Sequence, residues 1–267
     1  MRIGKGMCGL LALMCVVVVA CSGALAAEAK KAPAKAPNAM QLLEAAAQQC
    51  AKLNQFTQYF SKQERIGGQL HEKETIFLKF RAKPLSIYAK WVENPYKDRE
   101  LIYVEGKEGG KYVLHEYVGP VNVLVKEKPS SKEALKRSCR PVAEFGVRNL
   151  MQVLMRQVKA AAKKKELRIS YIGEERIKNK PVDIVMCLFP KKREYEAYMV
   201  VAYIEKQRKY PIRLAGYDWD NNLLWVYESW RIVPQAKLSK KDFDLKNKEY
   251  DFPLLPFGLP RPLWPFK

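Results

Sequence analysis

An alternation of apolar and polar residues between Glu72 and Gly106 constrains this chain more than any other feature of its sequence. Successive side chains of a β-strand point to opposite faces of its sheet, so this alternation predicts three strands in close succession. Each strand would have one apolar face and one mixed, largely water-compatible face. The apolar face needs a cover, which would be the curvature of the sheet, packed helices or an apolar ligand. The side chains on that face are Ile76, Leu78, Phe80, Leu85, Ile87 and Trp91.

Turn signals recur along the chain at the spacing of an antiparallel sheet. Gly67-Gly68, Asn94-Pro95 and Gly109-Gly110 separate a first group of strands, which ends with runs at 111–118 and 121–126. Further strand patterns occupy residues 167–172, 182–189, 195–205, 212–219 and 223–233. A spacing of about 8–12 residues between turn signals is typical of an antiparallel sheet or barrel. The sequence therefore predicts an α+β fold built on a large antiparallel sheet.

Two amphipathic helices interrupt these strand patterns. Residues 39–53 repeat apolar side chains at helical spacing and follow Asn38, which suits an N-cap. Residues 147–161 carry an unbroken apolar stripe that includes Met151 and Met155. Methionine adapts to irregular surfaces, which suits a lid over a ligand cavity, but ordinary core packing produces the same stripe. Both interpretations stay open for this helix.

The N-terminal residues predict export. Arg2 and Lys5 precede an apolar run at 10–20 that is typical of a secretory signal peptide and too short for a comfortable membrane span. Two processing sites compete: cleavage close to the small residues Ala24-Leu25-Ala26, with residues 1–27 assigned to the signal peptide, and lipidation of Cys21 in a bacterial lipobox. Either makes the chain periplasmic, soluble or anchored through Cys21. The formal net charge of +20 attracts anions, and export favours an anionic membrane surface over nucleic acid as the partner.

Three further segments complete the predicted organisation. Residues 28–37 form a Lys/Ala/Pro linker that lacks the apolar residues needed to pack. Residues 38–252 form the folded domain, and residues 253–267 form a tail of prolines and aromatic residues. Proline excludes the tail from helix and sheet interiors. The tail either lies on the domain or presents Trp264 and Phe266 to a partner or a membrane interface.

The sequence offers no catalytic or metal-binding motif. Cys50, Cys139 and Cys187 are the cysteines beyond the leader, no CxxC pair occurs, and His71 and His115 are the only histidines. This set favours neither a zinc site nor a Cys–His nucleophile pair, and whether two of the cysteines form a disulfide stays open. Scattered carboxylates are explained by cross-strand ion pairs better than by a catalytic dyad. The chain is interpreted as non-enzymatic, without a cofactor or a metal.

Four stretches resemble a bacterial family of unknown function that is numbered 1571. They are YFSKQERIGGQLHEKETIFLKFRAKPLSIYAKW (59–91), NPYKDRELIYVEG (94–106), RPVAEFGVRNL (140–150) and DFDLKNKEYDF (242–252). Asp98 stands where the family usually has glycine. The succession of helix, meander, helix and meander is similar to the LolA/LolB/RseB-like periplasmic lipoprotein carriers and sensors.

That resemblance implies a strongly curved, incomplete β-barrel with the two helices packed on its open concave side. The six apolar strand residues, with Met151 and Met155, would then line a cavity for lipid or lipoprotein acyl chains; ordinary core packing is the alternative. Lys97 and Arg99 would meet an anionic headgroup at the mouth of a hairpin, or form a cross-strand ion pair. A second function is an envelope sensor or scaffold that binds a protein partner or an anionic surface polymer through its basic face, without a ligand cavity.

Overall fold

The computed structural model describes residues 36–118 and 121–252, which belong to one compact unit that starts at Ala36. The predicted signal peptide, the lipidation site Cys21 and the tail at 253–267 lie outside the described residues, as does most of the linker. No helix in the described ranges is long and apolar enough to cross a membrane.

The described chain consists of a large set of strands and few helices. The helices are α1 (Ala39–Ala51), α2 (Lys132–Leu135) and α3 (Val147–Lys163). The strands are β1 (Gln55–Ile66), β2 (Gln69–Leu70), β3 (Glu74–Ala82), β4 (Leu85–Trp91), β5 (Glu100–Val104), β6 (Tyr112–Val118), β7 (Val121–Glu127), β8 (Arg168–Ile177), β9 (Lys180–Leu188), β10 (Met199–Glu205), β11 (Pro211–Tyr217) and β12 (Leu223–Pro234). The predicted helices and strand groups are confirmed. Two boundaries are wrong. Strand β10 starts at Met199 and not at residue 195, because residues 190–198 form a loop whose side chains bind α3 and the residues after it. Strand β8 ends at Ile177 and not at residue 172, because its pairing with β9 continues after a register shift before Gly173.

Every strand pairing is antiparallel, and the 12 strands form one sheet in the order β7-β6-β5-β4-β3-β1-β12-β11-β10-β9-β8, with β2 paired to β1. Strands β1 and β12 lie at the centre, where Phe60 is the register partner of Ser229. Strands β7 and β8 end the sheet and do not pair with each other in the described ranges. The predicted large antiparallel sheet is thus confirmed, and it is not closed.

One connection, residues 128–167, joins the two ends of the sheet. The first strands run outward from β1 to β7 and the second group returns from β8 to β12, so the chain crosses the whole sheet between them. Eleven neighbouring strands span about 48 Å along the sheet surface at a spacing of about 4.8 Å. The 17 residues of α3 span about 25 Å. The helix therefore accounts for about half of the crossing.

The main hydrophobic cluster lies between α1, α3 and one face of the sheet. Phe56, Phe60 and Leu78 of the strands pack there with Leu43 of α1 and Met151 of α3, and all five side chains are fully buried. Removal of this apolar area from water is the principal stabilising contribution. The alternation in β3 and β4 therefore identified the buried face correctly.

The opposite face of β4 and β5 differs from the predicted water-compatible surface. Tyr88 and Ile102 are buried there in a second cluster that includes Phe243 and Phe252. The chain after β12 folds back over these strands, and the rings of Tyr88 and Tyr250 stack with their centroids 4.0 Å apart. Alternation within a strand cannot reveal this cover, because the covering residues are about 150 positions away in the sequence.

Candidate functional site

All eight residues predicted to line a cavity belong to the main hydrophobic cluster, on the surface of the sheet that we call the apolar face. Leu85 is partly buried, Trp91 is 4% exposed and Met155 is 6% exposed. The fully buried members are Ile76, Leu78, Phe80, Ile87 and Met151. The structure therefore brings the predicted residues together, and in this conformation their side chains are packed within the core.

Three contacts fix the start of α3 on the apolar face. Gly146 has a φ of 90°, and a Cβ at this position would lie 2.8 Å from Leu78 Cδ2, so only glycine allows the observed approach. The side-chain oxygen of Gln58 accepts a hydrogen bond from the backbone N–H of Val147 at 3.3 Å, which satisfies a donor at the helix start. The guanidinium of Arg148 donates to backbone carbonyls at the end of α1.

A small cavity lies between the middle of α3 and strands β10 to β12. Its volume of about 10 Å³ is enough for one water molecule, whereas ligand pockets usually measure about 300–1,000 Å³. The lining residues are Arg140, Leu150, Val153, Leu154, Gln157, Glu196, Val200, Leu214, Trp225 and Tyr227. A larger groove of about 450 Å³, lined by residues 54–55 and 235–239, opens at another place, beside the start of β1.

Two of the residues lining the small cavity carry buried hydrogen-bond donors without a partner in the described protein. These donors are Arg140 Nε and Trp225 Nε1. Arg140 is 7% exposed and Trp225 is 5% exposed. The ring of Trp225 lies against Gly216, where a Cβ would come within 2.4 Å of it, and the guanidinium of Arg140 lies 4.9 Å from the ring centroid. Unsatisfied buried donors are rare in proteins, and they mark a place where an acceptor would be stabilised.

A buried ion cluster, which we call the polar end, occupies the apolar face beside this cavity. Lys62 Nζ lies 3.0 Å from Glu64 Oε2 and 2.9 Å from Glu74 Oε1, and the side chains of Lys62 and Glu64 are 3% and 2% exposed. Lys62 and Glu74 are register partners on β1 and β3. Glu74 also accepts a hydrogen bond of 2.5 Å from Trp91 Nε1. The polar end therefore consists of Lys62, Glu64, Glu74 and Trp91.

The carboxylate of Glu64 also binds the crossing connection. It accepts hydrogen bonds from Ser138 Oγ at 2.9 Å and from the backbone N–H of Cys139 at 3.2 Å. It further accepts a 2.6 Å hydrogen bond from the Tyr227 hydroxyl of β12. Glu64 therefore ties the segment between α2 and α3 to the centre of the sheet.

The titration behaviour of the polar end follows from these contacts. Burial by itself would lower the pKa of Lys62, but Glu64 and Glu74 outweigh it and raise that pKa. Burial by itself would raise the pKa of Glu64, but Lys62 and the hydrogen bonds from Tyr227 and Ser138 outweigh it and lower that pKa. Lys62 and Glu64 are therefore charged at neutral pH, and their arrangement is that of an electrostatic clamp.

Arg140 is the second clamp on the crossing connection. Its Nη2 lies 2.5 Å from Glu196 Oε2, and its Nη1 lies 3.3 Å from Glu144 Oε2. Nearby, Arg137 Nη1 lies 3.0 Å from Glu116 Oε1 of β6. Residues 137–140 are thus bound to β1, β6 and the loop before β10.

The two predicted headgroup residues occupy different environments. Lys97 is exposed. Arg99 is ion-paired with Glu116 of β6, and its guanidinium lies 3.8 Å from the ring centroid of Tyr96. Since residues 100 and 115 are register partners, the Arg99–Glu116 contact is a cross-strand pair. The cation of Arg99 is therefore already compensated within the protein.

The cysteines described by the structure form no disulfide. Cys50 and Cys187 are buried, and burial raises the pKa of both thiols to about 12. Cys139 is an exposed residue. Its sulfur is nevertheless partly desolvated, and this desolvation raises the pKa of the thiol to about 11. Thiols with such pKa values are almost fully protonated at neutral pH and are poor nucleophiles. Among the described residues, no group of His, Cys, Asp and Glu has the arrangement of a metal site.

Sequence reasoning missed the residues that join the crossing connection to the sheet. Lys62 and Glu64 share the parity of Phe56 and Phe60 on β1, so the alternation itself places two charges on the buried face. That parity is a usable signal, since buried charges require partners. Arg140 gives no such signal, because Glu196, the carboxylate that binds it most closely, is 56 positions away in the sequence.

Comparisons with known proteins identify a family for this chain. A family model described as a protein of unknown function, DUF1571, matches residues 53–252. None of the curated proteins matches the sequence.

Solved structures with similar folds have low sequence identity to this chain. The Pseudomonas aeruginosa MucA/MucB complex is 11% identical, with a TM-score of 0.45 over 78% of this chain and 61% of that chain. The lipoprotein LppX of Mycobacterium tuberculosis is 10% identical, with a TM-score of 0.44 over 73% and 94% of the two chains. A LolA superfamily protein from Nitrosomonas europaea is 9% identical, with a TM-score of 0.33 over 78% and 98%. None of these values assigns a function to this chain.

Proposed function

The chain belongs to the DUF1571 family, and we propose that it is an exported, non-enzymatic envelope protein that binds lipid or lipoprotein acyl chains. The acyl chains would lie between the apolar face and α3. In this proposal the sheet curves as an incomplete barrel, and α1 and α3 cover its concave side. The protein would act in the periplasm, either soluble or anchored through Cys21.

The observation that carries this proposal is the small cavity under α3. Its walls combine apolar side chains of Leu150, Leu154, Val200 and Leu214 with the two unpartnered donors of Arg140 and Trp225. Apolar walls with a few convergent polar groups are characteristic of small-molecule sites. A cavity of about 10 Å³ holds no acyl chain, so binding requires α3 to move away from the sheet. The eight predicted residues would then become the walls of the enlarged site.

The charges around the cavity favour a neutral acceptor on the ligand. The cation of Arg140 is compensated by Glu196 and Glu144. The carboxylate of Glu64 is also near, because it accepts a hydrogen bond from the hydroxyl of Tyr227, which lines the cavity. A free carboxylate would be repelled by these groups, whereas an ester or amide carbonyl would accept from Arg140 Nε without a charge penalty. The ligand class is therefore an acyl ester or acyl amide. Any contact with an anionic headgroup would fall to Lys97, since Arg99 is paired.

Lipid uptake by the purified chain tests this proposal. Native mass spectrometry would detect acyl lipids that copurify, and titration with a fluorescent phospholipid would measure affinity. Leu154→Trp fills the cavity and is expected to weaken binding at least about tenfold, equivalent to about 1.4 kcal/mol. Gln152→Trp is the matched control, because it adds the same ring on the exposed side of α3 and is expected to leave binding unchanged. Absence of copurified lipid and of uptake by the wild-type chain would contradict the proposal.

A second candidate function, an envelope sensor or scaffold, is favoured by the filled state of the apolar face. The predicted cavity residues pack against each other, and such a core needs no ligand. This candidate predicts that the wild-type chain takes up no lipid and that Leu154→Trp only lowers stability. Binding of a defined envelope protein with unchanged affinity in Leu154→Trp would then support it.

A further inference from the structure

Basic residues are concentrated at the end of α3 and in the loop before β10. Residues 159–168 and 190–194 together contain eight Lys and Arg residues but only two carboxylates, those of Glu166 and Glu194. All eight basic side chains are exposed. We call this surface the cationic end; its members are Lys159, Lys163, Lys164, Lys165, Arg168, Lys191, Lys192 and Arg193.

Two reciprocal ion pairs hold the two segments of the cationic end together. Lys164 Nζ of the first segment lies 2.5 Å from Glu194 Oε1 of the second. Lys192 Nζ of the second lies 2.5 Å from Glu166 Oε1 of the first, and Glu166 also accepts a 2.8 Å hydrogen bond from the Tyr195 hydroxyl. Both carboxylates are therefore used to join the segments, and they bring together the cations that remain.

The remaining cations form no ion pair within the described ranges. They include Lys163, Lys165, Lys191 and Arg193. The helix dipole explains cations in the last turn of α3, but it does not explain those in the loop at 191–193. Bringing like charges together raises the free energy of the folded state unless an anionic partner compensates them.

The chemistry of the cationic end favours a diffuse anionic surface. Six of its eight members are lysines, which act as strongly hydrated point charges, whereas sites that grip individual phosphates usually depend on the bidentate geometry of arginine. Single-stranded nucleic acid is usually held by exposed aromatic rings as well as cations. The eight members include no aromatic residue, and the neighbouring Tyr195 is buried.

We infer that the cationic end is a docking surface for an anionic phospholipid membrane. The surface continues the same helix that covers the apolar face: Val153, Leu154 and Gln157 line the small cavity, and the cations begin two residues later at Lys159. Docking would therefore place α3 at the membrane surface. This inference goes beyond the proposed function and does not depend on it, because a sensor with a filled core would dock through the same charges.

Vesicle cosedimentation of the full chain tests the inference. Vesicles of phosphatidylcholine alone provide the baseline, which includes any contribution from the apolar N-terminal run, and vesicles that also contain phosphatidylglycerol provide the anionic surface. The test variant is K163E/K165E/K191E/R193E. The control variant is K237E/K240E/K246E/K248E, which reverses the same number of exposed charges in the segment after β12, where five lysines are balanced by four carboxylates. Thermal unfolding of both variants shows whether each is folded.

The wild-type chain is expected to bind anionic vesicles more tightly than neutral ones, and this preference should weaken as salt screens the charges. The test variant should lose at least about tenfold of its affinity, since each basic residue at a membrane surface contributes about 1 kcal/mol. The control variant should lose less than about threefold. Equal losses in both variants, or no preference for anionic vesicles in the wild-type chain, would overturn the inference. Tighter binding to a single-stranded RNA probe than to anionic vesicles would also overturn it. Lipid uptake by the test variant is measured as well, and the proposed function predicts that it equals uptake by the wild-type chain. A failure of membrane docking can therefore be distinguished from a failure of lipid binding.

Discussion

Replacing Lys62 by methionine is the most direct test of the polar end. The Nζ atom of Lys62 lies 3.0 Å from Glu64 and 2.9 Å from Glu74, and the side chain is 3% exposed. Methionine keeps much of the apolar stem and removes only the charge and its donors. Glu64 is left with hydrogen bonds but no cation in the core.

The expected magnitude follows from this burial. Removing one partner of a buried ion pair usually costs about 3–5 kcal/mol, because the remaining charge stays desolvated. Lys73→Met is the matched control, since Lys73 also lies 3.0 Å from a carboxylate, that of Glu228, but its side chain is 51% exposed. An exposed pair contributes less than about 1 kcal/mol. Urea unfolding near neutral pH should therefore separate the two variants clearly.

The pH dependence provides a second, independent readout. In the wild-type chain the lowered pKa of Glu64 contributes stability above its unfolded pKa, and that stability is lost as the pH falls through the folded pKa. In Lys62→Met the carboxyl of Glu64 loses its cation, so its folded pKa rises above the unfolded value. The variant then recovers stability as the pH falls, because its folded state binds the proton more tightly. The difference between wild type and variant should shrink from about pH 7 to about pH 4.

Two results would refute this reasoning. One is a cost for Lys62→Met at neutral pH that is no larger than the cost for Lys73→Met. The other is a difference between wild type and Lys62→Met that stays constant across the pH range.

Two further predictions concern the start of α3 and the thiols. Gly146→Ala should lower the free energy of unfolding by at least about 2 kcal/mol, because φ is 90° and the new methyl would lie 2.8 Å from a leucine methyl. Gly67→Ala, with a φ of 58° and no atom within 4 Å of its Cβ, should cost only about 1 kcal/mol in the same unfolding assay, and equal costs would contradict the close approach. Alkylation followed by peptide mapping should label Cys139 in the native chain and spare Cys50 and Cys187 until the chain is unfolded. Labelling of Cys139 should accelerate up to about pH 11, and early labelling of either buried thiol would show that α1 or β9 opens readily.

Local sequence patterns predicted most of the secondary structure because the side chains concerned repeat with the period of their own element. The stripe that contains Met151 and Met155 located α3, and the alternation around Leu78 located β3 and its buried face. Asn38 was a correct N-cap, and its side chain accepts a hydrogen bond of 3.1 Å from the backbone N–H of Gln41. These features depend on residues close together in the chain, which is why one sequence sufficed.

The parts that sequence reasoning missed depend on contacts between distant residues. Tyr88 is buried because Tyr250 stacks on it, and the residue pattern of the strand around Tyr88 does not indicate that partner. Glu64 meets Ser138 and Tyr227 only after the crossing connection has returned to the centre of the sheet. Periodicity therefore placed Lys62 and Glu64 on the buried face of β1, but it could not identify the residues that Glu64 binds.

The central pairing of β1 with β12 has a consequence for how the chain becomes a folded protein. Phe56 pairs with Pro234 and Glu64 with Trp225, so the first and the last strand of the described ranges meet in the middle of the sheet. Pairings over such separations close late and slow folding. A chain that stops before β12 would leave β1 and β11 as two open edges in what should be the interior of the sheet, and open edges favour association between chains. The two strand groups are therefore not separable halves, and forms of this protein that lack β12 should aggregate rather than fold as a stable half-sheet.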